Sequence, residues 1–208
     1  SARSDEPRKN GVAMEKTSSI KVVAIIGSVR PDSYTSKAVA LVGDEFRERY
    51  PEVDFNVVDP RHLNLPGPQS DTADAKSMQK MIGDATGVIL STPEYHGSYS
   101  SAIKLVIENM GFPSGLSAKP VAMLGVAAGR IGAIKALEHL SSVVTHVGGL
   151  VLPGFVSVAG VQDVFDDEGK CTDPSTDERI RGLAKNLMDY THEFLCPGRC
   201  MEETVRQD

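Results

Sequence analysis

Short apolar runs rich in β-branched residues alternate with amphipathic helical patterns along most of the chain, and this alternation leaves few folds open. Ile20 to Ile26 reads IKVVAII and stops at Gly27. A helical pattern follows, with Tyr34, Ala38, Leu41, Val42 and Phe46 on one face until Pro51. Val53 to Val58 is a second strand, closed by Asp59-Pro60, and a loop with Pro66-Gly67-Pro68 leads to a helix carrying Ala75, Met78, Ile82 and Ala85 inward. Val88 to Leu90 begins a third strand, ended by Thr92-Pro93, and Ser98 to Met110 is a third helix. Pro120 to Val126, Ile131 to Val147, Leu150 to Val158 (interrupted by Pro153-Gly154) and Ile180 to Leu195 continue the series.

The order is strand then helix, five times. Near-continuous apolar strands have both faces covered, and right-handed crossovers wind such strands into one parallel sheet. The expected architecture is α/β: a flavodoxin-like, doubly wound, five-stranded parallel sheet of order 2-1-3-4-5 in a three-layer α/β/α sandwich. Ligands lie at the carboxyl ends of the strands in such sheets. The site is therefore expected in loops 27–36, 92–98 and 126–132. The unit spans residues 20–195, with 1–19 read as a disordered leader and 196–208 as a tail.

With 22 Lys and Arg against 28 Asp and Glu, the net charge is −6. That balance argues against general binding of nucleic acid or anionic membrane, which requires neutralising phosphates. No run approaches the roughly 20 apolar residues of a membrane span. The sparse cysteines, Cys171, Cys196 and Cys200, make no disulfide framework. Cys196 and Cys200 read as free thiols of the tail, since no second ligand pair gives zinc spacing. A cytoplasmic location follows by default.

Each of the three loops has chemistry suited to a ligand. The first joins a buried strand to a helix N-terminus, where free N–H groups and the helix dipole favour an anion. Ser28, Ser33, Thr35 and Ser36 add hydroxyls, and Arg30 adds a charge able to grip phosphate oxygens in pairs. The loop is neither a P-loop nor a G-x-G-x-x-G fingerprint. In the second loop, Pro93 forces extended geometry before it, and Gly97 permits close approach to a flat ligand. Tyr95 and His96 can lie against a ring system there, Glu94 and His96 could alternatively form an acid–base pair, and Ser98 can cap the third helix. The third loop, Gly125 to Gly132, is built of small residues. Gly129 is expected to open the fourth helix, with Arg130 above the pocket.

Gly27-Ser28-x-Arg30-x-x-Ser33, Pro93-Glu94-Tyr95-His96-Gly97-Ser98-Tyr99 leading into Ala102-Ile103-Lys104, and the small-residue loop at 125–132 together resemble the NAD(P)H-dependent FMN reductase family. The resemblance implies that Ser28, Arg30, Ser33, Thr35 and Ser36 bind the FMN phosphate. It implies that Pro93, Glu94, Tyr95, His96 and Gly97 cradle the isoalloxazine and that Ala128, Gly129 and Arg130 border it. His96 stands where the family often has Asn, Leu105 where Asn is frequent, and Ala127-Ala128 where Ser and Gly are common.

The implied activity is hydride transfer from NADPH or NADH to bound FMN, then ping-pong transfer to a small-molecule electron acceptor: a flavin, quinone, azo compound or oxidised metal ion. No side chain need act as a nucleophile, and no metal is implied. A homodimer or homotetramer, whose neighbouring subunit helps wall the pocket, is also implied. The residue that reads the extra phosphate of NADPH stays open among Arg30, Arg130 and others. The alternatives are a flavodoxin-like electron carrier without its own NAD(P)H oxidation and a flavin-free binding module or hydrolase on the same fold.

Overall fold

The computed structural model describes residues 20–195. Cys196, Cys200 and the two expected tails lie outside the described residues. In chain order the elements are β1 (Lys21–Ile26), α1 (Tyr34–Arg49), β2 (Asp54–Val58), α2 (Ala73–Gly83), β3 (Gly87–Pro93), α3 (Ser101–Glu108), β4 (Pro120–Val126), α4 (Ile134–His146), β5 (Leu150–Val151), β6 (Val156–Val158) and α5 (Pro174–Tyr190). The sheet runs β2-β1-β3-β4-β5, all parallel, with β6 also on β4. The expected fifth strand is thus cut in two: β5 pairs with Pro120 and Val121, β6 with Leu124 to Val126. Pro153-Gly154, with Gly154 at φ 81°, supplies the break.

The period of two within β1 assigns alternate residues to opposite layers. Val22, Ala24 and Ile26 pack with α1 and α5 through Val42, Phe46, Leu183 and Leu187. Val23 and Ile25 pack with α2, α3 and α4 through Ile82, Ile103, Leu137 and Leu140. Both faces are covered, which explains why the strands read as unbroken apolar runs. Gly27 marks the tightest point. A Cβ there would lie 2.2 Å from the Ser91 carbonyl oxygen, so only glycine lets β1 end against β3.

Three helix starts differ from the sequence reading, while the end of β3 does not. Pro93 ends β3, as the sequence predicts, and still pairs with Val126. The Glu94 N–H donates to Val126 O at 2.9 Å. The preceding nitrogen therefore faces the β1 side, where β1 has already ended at Ile26, and proline breaks no ladder bond. The third helix begins at Ser101, and Ser100, not Ser98, is its cap, accepting from Ile103 N–H at 3.2 Å. The fourth begins at Ile134, because Gly132 adopts φ 78° and left-handed backbone cannot continue into a right-handed turn. Helix α5 starts earlier than Ile180, at Pro174, with Asp173 as cap.

Candidate functional site

A cleft of about 320 Å³ opens at the carboxyl edge, between the β1–α1 loop, the end of β3, the end of β4 and the turn after β6. Its volume lies in the range of roughly 300–1,000 Å³ usual for small-molecule sites. Ser28, Arg30, Ser33 and Thr35 line one side; Pro93, Glu94 and Tyr95 line another; Ala128 lines a third. Ser36, His96, Gly97, Gly129 and Arg130 are not in its wall.

The first loop is organised by its own hydroxyls. Ser28, 2% exposed, accepts from Arg30 N–H at 3.3 Å and so bends the loop back over the end of β1. Ser33 caps α1, its hydroxyl accepting from Ser36 N–H at 3.1 Å, while Lys37 N–H donates to Ser33 O. Ser36 turns its hydroxyl back onto Ser33 O at 2.7 Å and faces its own helix. The N–H groups of Tyr34 and Thr35 have no acceptor among the described residues. They are the free donors that a helix start leaves over. Arg30 is exposed and lacks a carboxylate partner among the described residues.

The second loop is a two-residue hairpin standing on β3. Tyr95 N–H donates to Ser98 O at 2.9 Å and Ser98 N–H to Tyr95 O at 3.1 Å. The turn residues His96 and Gly97 have φ 50° and 74°. Positive φ at both central positions is the type I′ pattern that usually calls for Asn-Gly. Histidine is among the few other residues that tolerate left-handed backbone, so His96 replaces the more frequent Asn without changing the turn. Its side chain points to solvent, as does much of Tyr95, which is 42% exposed. The Ser98 hydroxyl lies 3.0 Å from His139 Nδ1, tying the hairpin to α4.

Glu94 performs a task that the sequence did not disclose. Helix α4 has Ala133 at its cap position and no side-chain cap of its own. The Glu94 carboxylate accepts from Ala136 N–H at 3.0 Å and fills that place from a different element. A carboxylate at a helix N-terminus is stabilised by the dipole as well as by the bond. Glu94 is thus engaged with α4, and among the described residues it forms no hydrogen bond or ion pair with the solvent-facing His96.

The third loop folds into a turn in which Gly132 N–H donates to Gly129 O at 3.2 Å. Arg130 and Ile131 form its tip and project outward, Ile131 being 79% exposed. Ala127 and Ala128 remain at the cleft. The fourth wall, Val161 and Gln162, was missed by sequence reasoning. The available signal was positional: the segment following the last strand also reaches the carboxyl edge. Val161 N–H donates to Ala127 O at 3.0 Å and the Gln162 amide to Ala128 O at 3.3 Å, which fixes this wall to the third loop.

Among the described residues, no group of three His, Cys, Asp or Glu side chains could hold a metal, and no helix is long and apolar enough to cross a membrane. Cys171 is a free thiol, with burial raising its pKa.

Comparison with known proteins agrees with this architecture. An NADPH azoreductase of Bacillus sp. is 28% identical over 82% of this chain and 94% of its own. An NAD(P)H-dependent FMN reductase of Pseudomonas aeruginosa is 30% identical over 78% and 90%. A 2-hydroxy-1,4-benzoquinone reductase of Burkholderia sp. is 28% identical over 62% and 72%. Among solved structures, the flavoenzyme NAD(P)H:(acceptor) oxidoreductase FerB of Paracoccus denitrificans shares the fold, with a TM-score of 0.69 and 23% identity over 84% of this chain and 98% of that one. Residues 20–163, containing all three loops, match the model of NADPH-dependent FMN reductases, and the chain belongs to that family of oxidoreductases.

Proposed function

We propose that this chain holds FMN in the carboxyl-edge cleft and reduces small-molecule acceptors, quinones and azo compounds foremost, at the expense of NADPH or NADH. The observation that carries the reading is the open start of α1: two N–H groups without acceptors, a neutral cap, and an unpaired arginine beside them. A phosphate monoester suits that donor set, because it supplies acceptor oxygens and negative charge together. The names of the Bacillus and Burkholderia relatives support the choice of acceptors.

When bound, FMN supplies the chemistry of accepting hydride and releasing electrons. The chain's part is holding and excluding. Arg30 and the α1 amides fix the phosphate, Ser28 shapes their loop, and Ser33 keeps the cap neutral. Pro93 to Tyr95 give a flat wall on a buried strand. Glu94, in the same wall, is held in place by its bond to α4. Ala127 and Ala128 leave room for a ring to approach the backbone. Donor and acceptor use the same open side in turn, which gives ping-pong kinetics. Exposed Val29 and Phe112 support assembly as a homodimer or homotetramer.

The test is a visible spectrum of the purified protein, with FMN added if needed, before and after anaerobic NADPH and NADH. A bound-flavin spectrum that bleaches with either dinucleotide is expected. A protein that stays colourless with FMN overturns the reading, and one that binds FMN but is not bleached is an electron carrier instead.

A further inference from the structure

The second phosphate of NADPH also needs a reader, and the distribution of unpaired cations points to one. Among the described residues, the Lys and Arg side chains with neither a carboxylate nor a backbone carbonyl partner are Lys21, Arg30, Arg130, Lys135 and Lys170. Lys21 opens β1 at the opposite edge of the sheet, and Lys170 lies in the turn packed against Lys37 of α1. Arg30 belongs to the first loop. Arg130 and Lys135 remain, the first in the turn that precedes α4 and the second in the first turn of that helix, beside the hairpin.

Their setting is specific. Arg130 sits at the tip of the 129–132 turn. Lys135 lies in the first turn of α4, and its stem crosses the hairpin turn: a Cβ on Gly97 would be 3.6 Å from Lys135 Cδ. Glu94, which could neutralise them, is bonded to Ala136 N–H. Between the two cations in the chain stand Ile131 and Ile134, 79% and 43% exposed. Unpaired cations beside exposed apolar side chains suit a ligand that has a flat apolar ring and a dianion, in a protein of net charge −6.

We infer that Lys135 and Arg130, with Ile131 and Ile134, form the subsite for the adenosine 2′-phosphate of NADPH. Lys135 and Arg130 take the phosphate as point charge and fork respectively, and the isoleucines bed the adenine. Lys135 is therefore a specificity-determining residue. The inference rests on the reductase reading above, and the experiments keep the two separable.

The first measurement is binding of adenosine 2′,5′-bisphosphate and adenosine 5′-phosphate to the FMN-loaded protein by calorimetry. The bisphosphate is expected to bind about tenfold more tightly, and the difference to vanish in Lys135→Met, which keeps the stem, and to return in Lys135→Arg. The second is the ratio of kcat/KM for NADPH to that for NADH, expected to fall about tenfold in Lys135→Met and further with Arg130→Gln. Equal binding of the two adenosines by the unmodified protein overturns the inference. So does an unchanged ratio in the double variant, or an effect of the variants on oligomeric state with none on the ratio. A protein that prefers the bisphosphate yet oxidises neither dinucleotide keeps the subsite and loses the reductase reading.

Discussion

Helices α1, α4 and α5 all begin at or near the same edge of the sheet, yet their first turns are treated in opposite ways. Helix α5 carries its own carboxylate, Asp173, which accepts from Thr176 N–H at 3.0 Å. Helix α4 borrows one, Glu94, from the end of β3. Helix α1 has only a neutral serine, leaves two amides without acceptors, and has an arginine beside them. Two of these three starts receive a carboxylate from the chain. Helix α3, capped by the buried, neutral Ser100, receives none but lies outside the cleft wall, so α1 is the start without a carboxylate that borders the cleft. An anion site is thus recognised less by a helix start than by what the protein leaves out of it.

The contrast can be broken most severely by filling the third start. Ser33→Asp keeps a good cap but sets a charge where the phosphate belongs. Two unit charges about 4 Å apart near a surface repel by roughly 4 kcal/mol, so FMN affinity should fall at least about 100-fold with the fold intact, as read by fluorescence titration and circular dichroism. Arg30→Ala removes the attraction instead. Charged hydrogen bonds contribute about 1.5–3 kcal/mol, so FMN should bind about 10- to 100-fold more weakly; unchanged binding would move the phosphate elsewhere. The reverse experiment empties α4. Glu94→Ala strands Ala136 N–H and should lower the urea unfolding free energy by about 1–2 kcal/mol.

The hairpin sharpens the comparison further. His96→Val must hold a β-branched residue at φ 50°, at a cost of roughly 1–2 kcal/mol, whereas His96→Asn should leave the unfolding free energy unchanged. The smallest effect concerns acid. Bonding from Thr176 holds the Asp173 carboxyl below its ordinary value. A group whose folded pKa is depressed contributes stability above its unfolded value of about 3.9 and loses it as pH falls through the folded one. Asp173→Asn should therefore be less stable than the parent at pH 7 and converge with it in acid, a gap measurable by thermal unfolding at each pH.

The sheet was legible because each layer writes its own period: the apolar strands, and the 3.6-residue stripes on α1 and α4, assign every crossover. The first loop was legible for the same reason, since Ser33 must stand where a strand meets a helix. The hairpin was not. Residues 95–98 look like the approach to α3, and only backbone bonds between Tyr95 and Ser98 separate them from it. Nor could spacing show that Glu94 serves α4, because a contact over 42 positions leaves no periodic trace. The resemblance set Gly129 and Arg130 beside the ring; the structure places both in the 129–132 turn, outside the cleft wall.

The type I′ hairpin has one more consequence. Its backbone is anchored by Pro93 inside the sheet and by Ser98 against His139, so the identity of the residue at its apex hardly affects the shape of the loop. Position 96 behaves like an interchangeable bit on a fixed shaft. Any side chain that accepts the left-handed twist can be presented to an incoming molecule while the walls stay put, giving such a scaffold a way to change its clientele by one substitution.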